Sequence, residues 1–129
     1  MSTFETGSIV KGFYKTGVYI GEITACRYRK DYLVKVKAVL THPSQGDLQH
    51  PKQADVPFFH ERKALAYGEQ TNIPHHMVKP YDGEVPDYTE SLREAKAQLR
   101  AKLNEDGSEW AKRSLHNLDI LEKEYFNLP

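Results

Sequence analysis

Residues 32–40, YLVKVKAVL, carry the cleanest two-residue alternation in the chain: Tyr32, Val34, Val36, Ala38 and Leu40 share one side, Lys35 and Lys37 the other. Successive strand side chains point to opposite faces, so this pattern predicts an antiparallel strand with one face on a core and one in water. Upstream, SIVKGFY at 8–14 reads as a shorter strand. Lys15-Thr16-Gly17 then reads as a turn, with Gly17 the residue suited to a positive φ. From Val18 to Tyr28 the apolar phase slips at Gly21-Glu22 and resumes at Ile23 and Ala25. A one-residue slip at a glycine predicts a β-bulge, the device that lets a small sheet bend. Arg29-Lys30-Asp31 closes the next turn.

Downstream, Thr41–Gln53 is a loop by its breakers, His42-Pro43, Gly46-Asp47 and His50-Pro51. Ala54–Phe59 reads as a brief strand in which Pro57 suits an edge or bulge position, and Lys63–Tyr67 as a further strand. Thr71–His76 reads as a tight turn before a strand at Met77–Tyr81, an ending with the look of an SH3-type barrel, where one turn of 3-10 helix links the last two strands. Short strands at this spacing predict a small barrel over residues 1–83. Asp82-Gly83 is a hinge, and Asp87 with Glu90 three residues later has capping-box spacing. Tyr88, Leu92, Ala95, Leu99 and Leu103 form one helical stripe. After a break at Asn104–Gly107, Asp106 or Ser108 caps a second helix with Ala111, Leu115, Leu118 and Tyr125 on its stripe, broadened by Trp110, Ser114, Leu121 and Phe126. The expected fold is α+β, mainly β: an SH3-like small β-barrel, then an antiparallel helical hairpin over 84–129. The hairpin's apolar face needs cover, from the barrel or from a second copy in a homodimer.

Composition narrows the function. Lys+Arg and Asp+Glu both number 18, so the whole molecule has no electrostatic drive toward nucleic acid or anionic membrane. Cys26 is the one cysteine, which rules out an intramolecular disulfide and a multi-cysteine zinc site and fits a reducing cytosol. No apolar run approaches the ~18 residues of a membrane span. Ile23-Thr24-Ala25-Cys26 imitates a lipoprotein cleavage site, yet the residues before it alternate polar with apolar and include Lys11, Lys15 and Glu22. That is the pattern of a strand and not of a leader peptide.

Side-chain chemistry offers four readings. His42, His50, His60 and the pair His75-His76, with Glu61 or Asp55, contain enough donors for zinc but no diagnostic spacing, so they read as loop histidines. Nucleophile elbows, phosphate loops and paired carboxylates are missing, so no catalytic residue and no cofactor is expected. Lys11, Lys15, Arg27, Arg29, Lys30, Lys35 and Lys37, interleaved with Tyr14, Tyr19, Tyr28 and Tyr32, suit an SH3-like nucleic-acid-binding module; zero net charge favours solvated strand faces. Last, Phe58, Phe59, His60, Arg62 and Tyr67 form a candidate surface for a protein partner, aromatic and basic in character. The competing account of the phenylalanines is packing beneath the helices.

FETGSIVKGFYKTGVYIGEIT at 4–24, VKVKAVLTHPSQGDLQHPKQADVPFFHERKALAYGEQTNIP at 34–74 and MVKPY at 77–81 closely resemble the kinase-associated lipoprotein B family of Bacillus and its relatives. The resemblance covers nearly the whole chain. It implies an SH3-like barrel followed by helices, and a non-enzymatic accessory role for a membrane-bound sensor histidine kinase that feeds the sporulation phosphorelay. It implies no catalytic residues. The lipoprotein in the family name conflicts with the strand reading of Cys26, so the expectation is an intact cytosolic protein that reaches the membrane through its partner.

Overall fold

The structure, a computed structural model, describes residues 4–26, 31–46, 52–56, 59 and 61–126. Five strands, β1 (Ile9–Tyr14), β2 (Gly17–Cys26), β3 (Asp31–Thr41), β4 (Gln70–Pro74) and β5 (Val78–Pro80), precede the helices α1 (Tyr88–Asp106) and α2 (Glu109–Phe126). The strands form one antiparallel sheet in the order β4-β3-β2-β1-β5. β4 and β5 are its two edges, joined by the 3-10 turn His75–Met77. The sheet is therefore open, and the expected closed barrel is replaced by an open five-stranded antiparallel sheet.

The irregularities of the ladder lie between β2 and β3. Tyr32, Val34, Val36 and Ala38 are buried as the alternation requires, but Val39 is also buried and Leu40 only half so. The ladder explains this. Ile20 faces Ala38 while Gly21 faces Val36, and Val18 faces Thr41 while Tyr19 faces Val39, so Lys37 and Leu40 are left without opposite numbers. The alternation runs through Lys37 undisturbed and breaks beside Leu40, where Val39 is buried and Leu40 only half so. The slip expected at Gly21 coincides with the first of these irregularities, although the extra residue, Lys37, lies in β3 and not in β2. A Cβ at Gly21 would stand 2.4 Å from Val34 Cγ1 and 2.7 Å from the Lys35 carbonyl oxygen, so the two strands close only over a glycine.

Among the described residues, two expected strands are not formed. Residues 63–67 pair with no strand, and neither do 54–56; Pro57 and Phe58 lie outside the described residues. The expected turn at 71–76 is instead β4 running into the 3-10 helix, with Ile73 fully buried. The turn between β1 and β2 also differs from expectation. Lys15 takes the positive φ, 53°, while Gly17 is the buried first residue of β2, where a Cβ would meet the Tyr19 ring.

Three apolar clusters make the core. Val10, Ile23, Tyr32, Val34, Ile73 and Val78, from all five strands, pack together in one cluster. Tyr19, Val36, Val39 and Ala64 meet Leu92 and Ala95 of α1. Leu103, Trp110, Ala111 and Leu118 close the helical hairpin. The apolar stripe of α1 thus finds cover on the sheet of its own chain. Asp87 caps α1 by accepting from Glu90 N at 3.2 Å, and Gly107 ends it in the left-handed conformation. Ser108 Oγ then caps α2, accepting from Ala111 N at 3.1 Å.

Candidate functional site: a strap pinned by three tyrosines

Residues 61–69 cross the molecule as an irregular strap. Its peptide groups need partners, and with no ladder available they find phenols. Ala64 N–H donates to Tyr125 Oη at 2.6 Å, Leu65 N–H donates to Tyr19 Oη at 3.3 Å, and Tyr88 Oη donates to Leu65 O at 2.6 Å. The three tyrosines belong to α2, β2 and α1, so the strap is tied to the sheet and to both helices. Burial pushes the phenols of Tyr19 and Tyr88 up to about 12 and raises that of Tyr125 as well. All three stay protonated at neutral pH and keep their hydrogen-bonding roles.

Behind the strap sits a buried polar network. His42 is 1% exposed; its Nδ1 lies 3.0 Å from the Pro43 carbonyl and its Nε2 3.0 Å from Tyr125 Oη. A carbonyl only accepts, so Nδ1 carries the proton and Nε2 accepts from the tyrosine. Burial, aided by the nearby Lys96 ammonium, lowers the His42 pKa to about 4. Buried Gln45 brackets Arg62, accepting from its N–H at 2.8 Å and donating to its carbonyl at 3.0 Å, while Trp110 Nε1 donates to Gln45 O at 3.2 Å.

The end of the strap is a tight turn that presents Tyr67. Gly68 N–H donates to Val36 O at 2.8 Å, Val36 N–H to Glu69 O at 2.9 Å, and Glu69 N–H to Ala66 O at 3.0 Å. On this fixed turn the Tyr67 ring is 61% exposed; Val85, at 40%, is the other exposed large apolar residue among those described. Both line one groove of about 500 Å³, together with Lys37, Pro86 and Tyr88. The Tyr67 and Tyr88 rings stand edge to face, 5.9 Å apart, and Lys37 Nζ lies 5.8 Å from the Tyr67 centroid. An exposed aromatic on a backbone-bonded turn, beside a cation and a second aromatic, has the make-up of a protein-binding hot spot, because the turn itself need not be ordered on docking.

The other residues singled out from sequence have different neighbours. Phe58 and His60 lie outside the described residues. Phe59 is half-buried on the helical-hairpin cluster, its ring edge against Gly46 and the Arg113 guanidinium 4.4 Å from its centroid. Arg62 donates through Nε to Gly46 O at 3.1 Å. Of the histidines, His42 is in the core, His75 stacks on Tyr32 at 4.3 Å, and His50 lies outside the described residues. Among the described residues no group of three or more His, Cys, Asp or Glu is placed to hold a metal ion. Of the tyrosines read as base-stacking candidates, Tyr19 and Tyr32 are buried, and Tyr28 lies outside the described residues. Sequence reasoning found Tyr67 but missed Lys37, which the bonds of the turn to β3 bring beside it, and Val85, Pro86 and Tyr88, which the docking of α1 on β3 brings there.

A family model described as kinase associated protein B matches residues 14–126. The kinase-associated lipoprotein B of Bacillus subtilis (strain 168) is 93% identical over 129 residues, covering all of both chains. The X-ray crystal structure of kinase-associated protein B from Bacillus cereus superimposes with a TM-score of 0.80 at 50% identity, covering 95% of this chain and 98% of that one.

Proposed function

We propose, on the premise that this chain belongs to the kinase-associated protein B family, that it is a non-enzymatic accessory protein acting by direct binding to a sensor histidine kinase. In this reading the kinase feeds the sporulation phosphorelay, and the Tyr67 groove is the contact face. The observation that carries it is the exposed Tyr67 ring on a turn held by the strap and by β3. Residues 1–83 act as an open variant of the SH3-like barrel, a reading supported by the sheet order and by the 3-10 turn that joins its edge strands. Residues 84–129 form the helical unit that completes the groove. Capture of the kinase's cytoplasmic region by the purified protein tests this. Tyr67→Ala and Val85→Asp should each weaken capture about tenfold or more with an unchanged circular dichroism spectrum; undiminished binding in both removes the groove from the reading.

The same proposal places the protein in the cytoplasm as an intact chain. No helix among the described residues is long and apolar enough to cross a membrane. Cys26 ends β2 opposite Tyr32. Cleavage before it would discard β1 and nearly all of β2, and with them Val10, Tyr19, Ile20 and Ile23 from the core. Intact-mass measurement on protein from its native cells decides the matter: a diacylated species beginning at Cys26 would sink the proposal.

A further inference from the structure

The hairpin between β1 and β2 uses a lysine where a glycine would fit without strain. Tyr14 pairs with Gly17, leaving a two-residue loop, and Lys15 holds φ at 53° within it. Such tight turns call for a positive φ, which residues with a Cβ resist. Local strain of this kind collects where a side chain serves a purpose beyond folding. Yet the Lys15 ammonium has no ion pair among the described residues and lies 5.5 Å from the Tyr14 ring centroid.

Lys15 lines a pocket of about 310 Å³ on the Tyr19 side of the strap, with Arg62 and Lys63 among its walls. Two of those walls are set in advance. Thr16 Oγ1 accepts from Ser44 N–H at 2.9 Å, fastening the hairpin tip to the loop after β3. Gln45 holds the Arg62 backbone on both sides. Its described lining has three cations, Lys15, Arg62 and Lys63, against two carboxylates, Glu61 and Glu69, a net charge of +1 among the described residues. Lys63 is shared with Glu124 at 3.6 Å, Arg62 gives its Nε–H to Gly46 O at 3.1 Å, and Glu69 accepts from Ala66 N–H at 2.9 Å, which leaves Lys15 as the cation of the lining most open to a ligand among the described residues. Tyr14 and Leu65 supply apolar wall.

We infer that this pocket seats an acidic side chain of a protein partner, a glutamate or aspartate flanked by an apolar residue. One carboxylate matches the net charge, whereas the repeated phosphates of a nucleic acid would also meet Glu61 and Glu69. Among the described residues the pocket shares no lining residue with the Tyr67 groove, so it stands or falls independently of that reading.

The test is an amide chemical-shift titration of the full chain with a blocked hexapeptide alternating glutamate and leucine, its glutamine counterpart, and a single-stranded RNA hexamer. The acidic peptide should give saturable shifts at Lys15, Thr16 and Arg62 that weaken with salt, and the glutamine peptide should bind about tenfold less tightly. Lys15→Gly should cut acidic-peptide affinity about fivefold or more while its unfolding midpoint stays at or above that of the parent, since the turn is relieved. Equal affinity for the glutamine peptide, undiminished binding by Lys15→Gly, tighter binding of the RNA, or no shift at millimolar peptide each overturns the inference.

Discussion

Lowering the pH should unfasten this protein through one histidine. His42 is held neutral inside the fold, and its pKa falls from 6.5 to about 4 chiefly because burial disfavours the charged ring. Between those values the unfolded chain binds a proton that the folded chain does not, so stability rises with pH across that window. The contribution is complete above pH 6.5 and is lost as the pH falls toward 4. A displacement of about 2.5 units at ~1.4 kcal/mol per unit amounts to about 3 kcal/mol. Geometry says where that cost falls. An imidazolium would direct Nε2–H at the Tyr125 hydroxyl, which must then surrender its own donation while still accepting from Ala64 N–H. Urea unfolding followed by the fluorescence of Trp110, the single tryptophan and itself bonded to Gln45, gives the readout. Subtracting the curve of His42→Gln removes the background from other titrating groups. The parent should lose about 3 kcal/mol more than the variant between pH 6.5 and 4. A flat difference curve, or a folded-state His42 midpoint near its ordinary value by nuclear magnetic resonance, refutes the reasoning.

Three further outcomes rest on packing and hydrogen bonding, all measurable by denaturant unfolding at neutral pH. Tyr125→Phe strands the Ala64 N–H and His42 Nε2 together and should cost about 3 kcal/mol; a loss below ~1 kcal/mol would mean water replaces the hydroxyl. Gly21→Ala drives a methyl into Val34 and the Lys35 carbonyl and should cost about 3 kcal/mol, or more if the bulge cannot shift. The Ser114 hydroxyl is fully buried without a hydrogen-bond partner among the described residues, so Ser114→Ala should be neutral or stabilise by up to about 1 kcal/mol; clear destabilisation would reveal a partner.

Local features were the legible ones. The alternation through Tyr32–Ala38, the slip at Gly21 and the Asp87–Glu90 cap are each decided within a few residues, and each stands in the structure. The strap was not legible because its partners are remote. Ala64 and Leu65 lie in a stretch with strand-like composition, and only the folded chain shows phenols taking the place of a neighbouring strand. β4 was misread for the opposite reason: Asn72 and Pro74 look like turn residues, but both are exposed positions of an edge strand, where a missing N–H is tolerated. Lys15 was hidden by Gly17, the residue chemistry would assign to the positive φ. Tyr67 stood out as an aromatic, whereas its groove depends on how α1 meets β3, which no short window encodes.

The three phenolic pins join residues 61, 46 and 23 positions apart in sequence. Each pin can form only when the strap and the element that carries its phenol have been brought together, so the strap depends on the whole tertiary fold and on no local segment. A chain with its sheet assembled and its helices still undocked would lack the Val85–Tyr88 wall of the groove and two of the three pins of the strap. A partner that recognises this face therefore inspects the finished molecule, and immature copies are silent to it without any dedicated control.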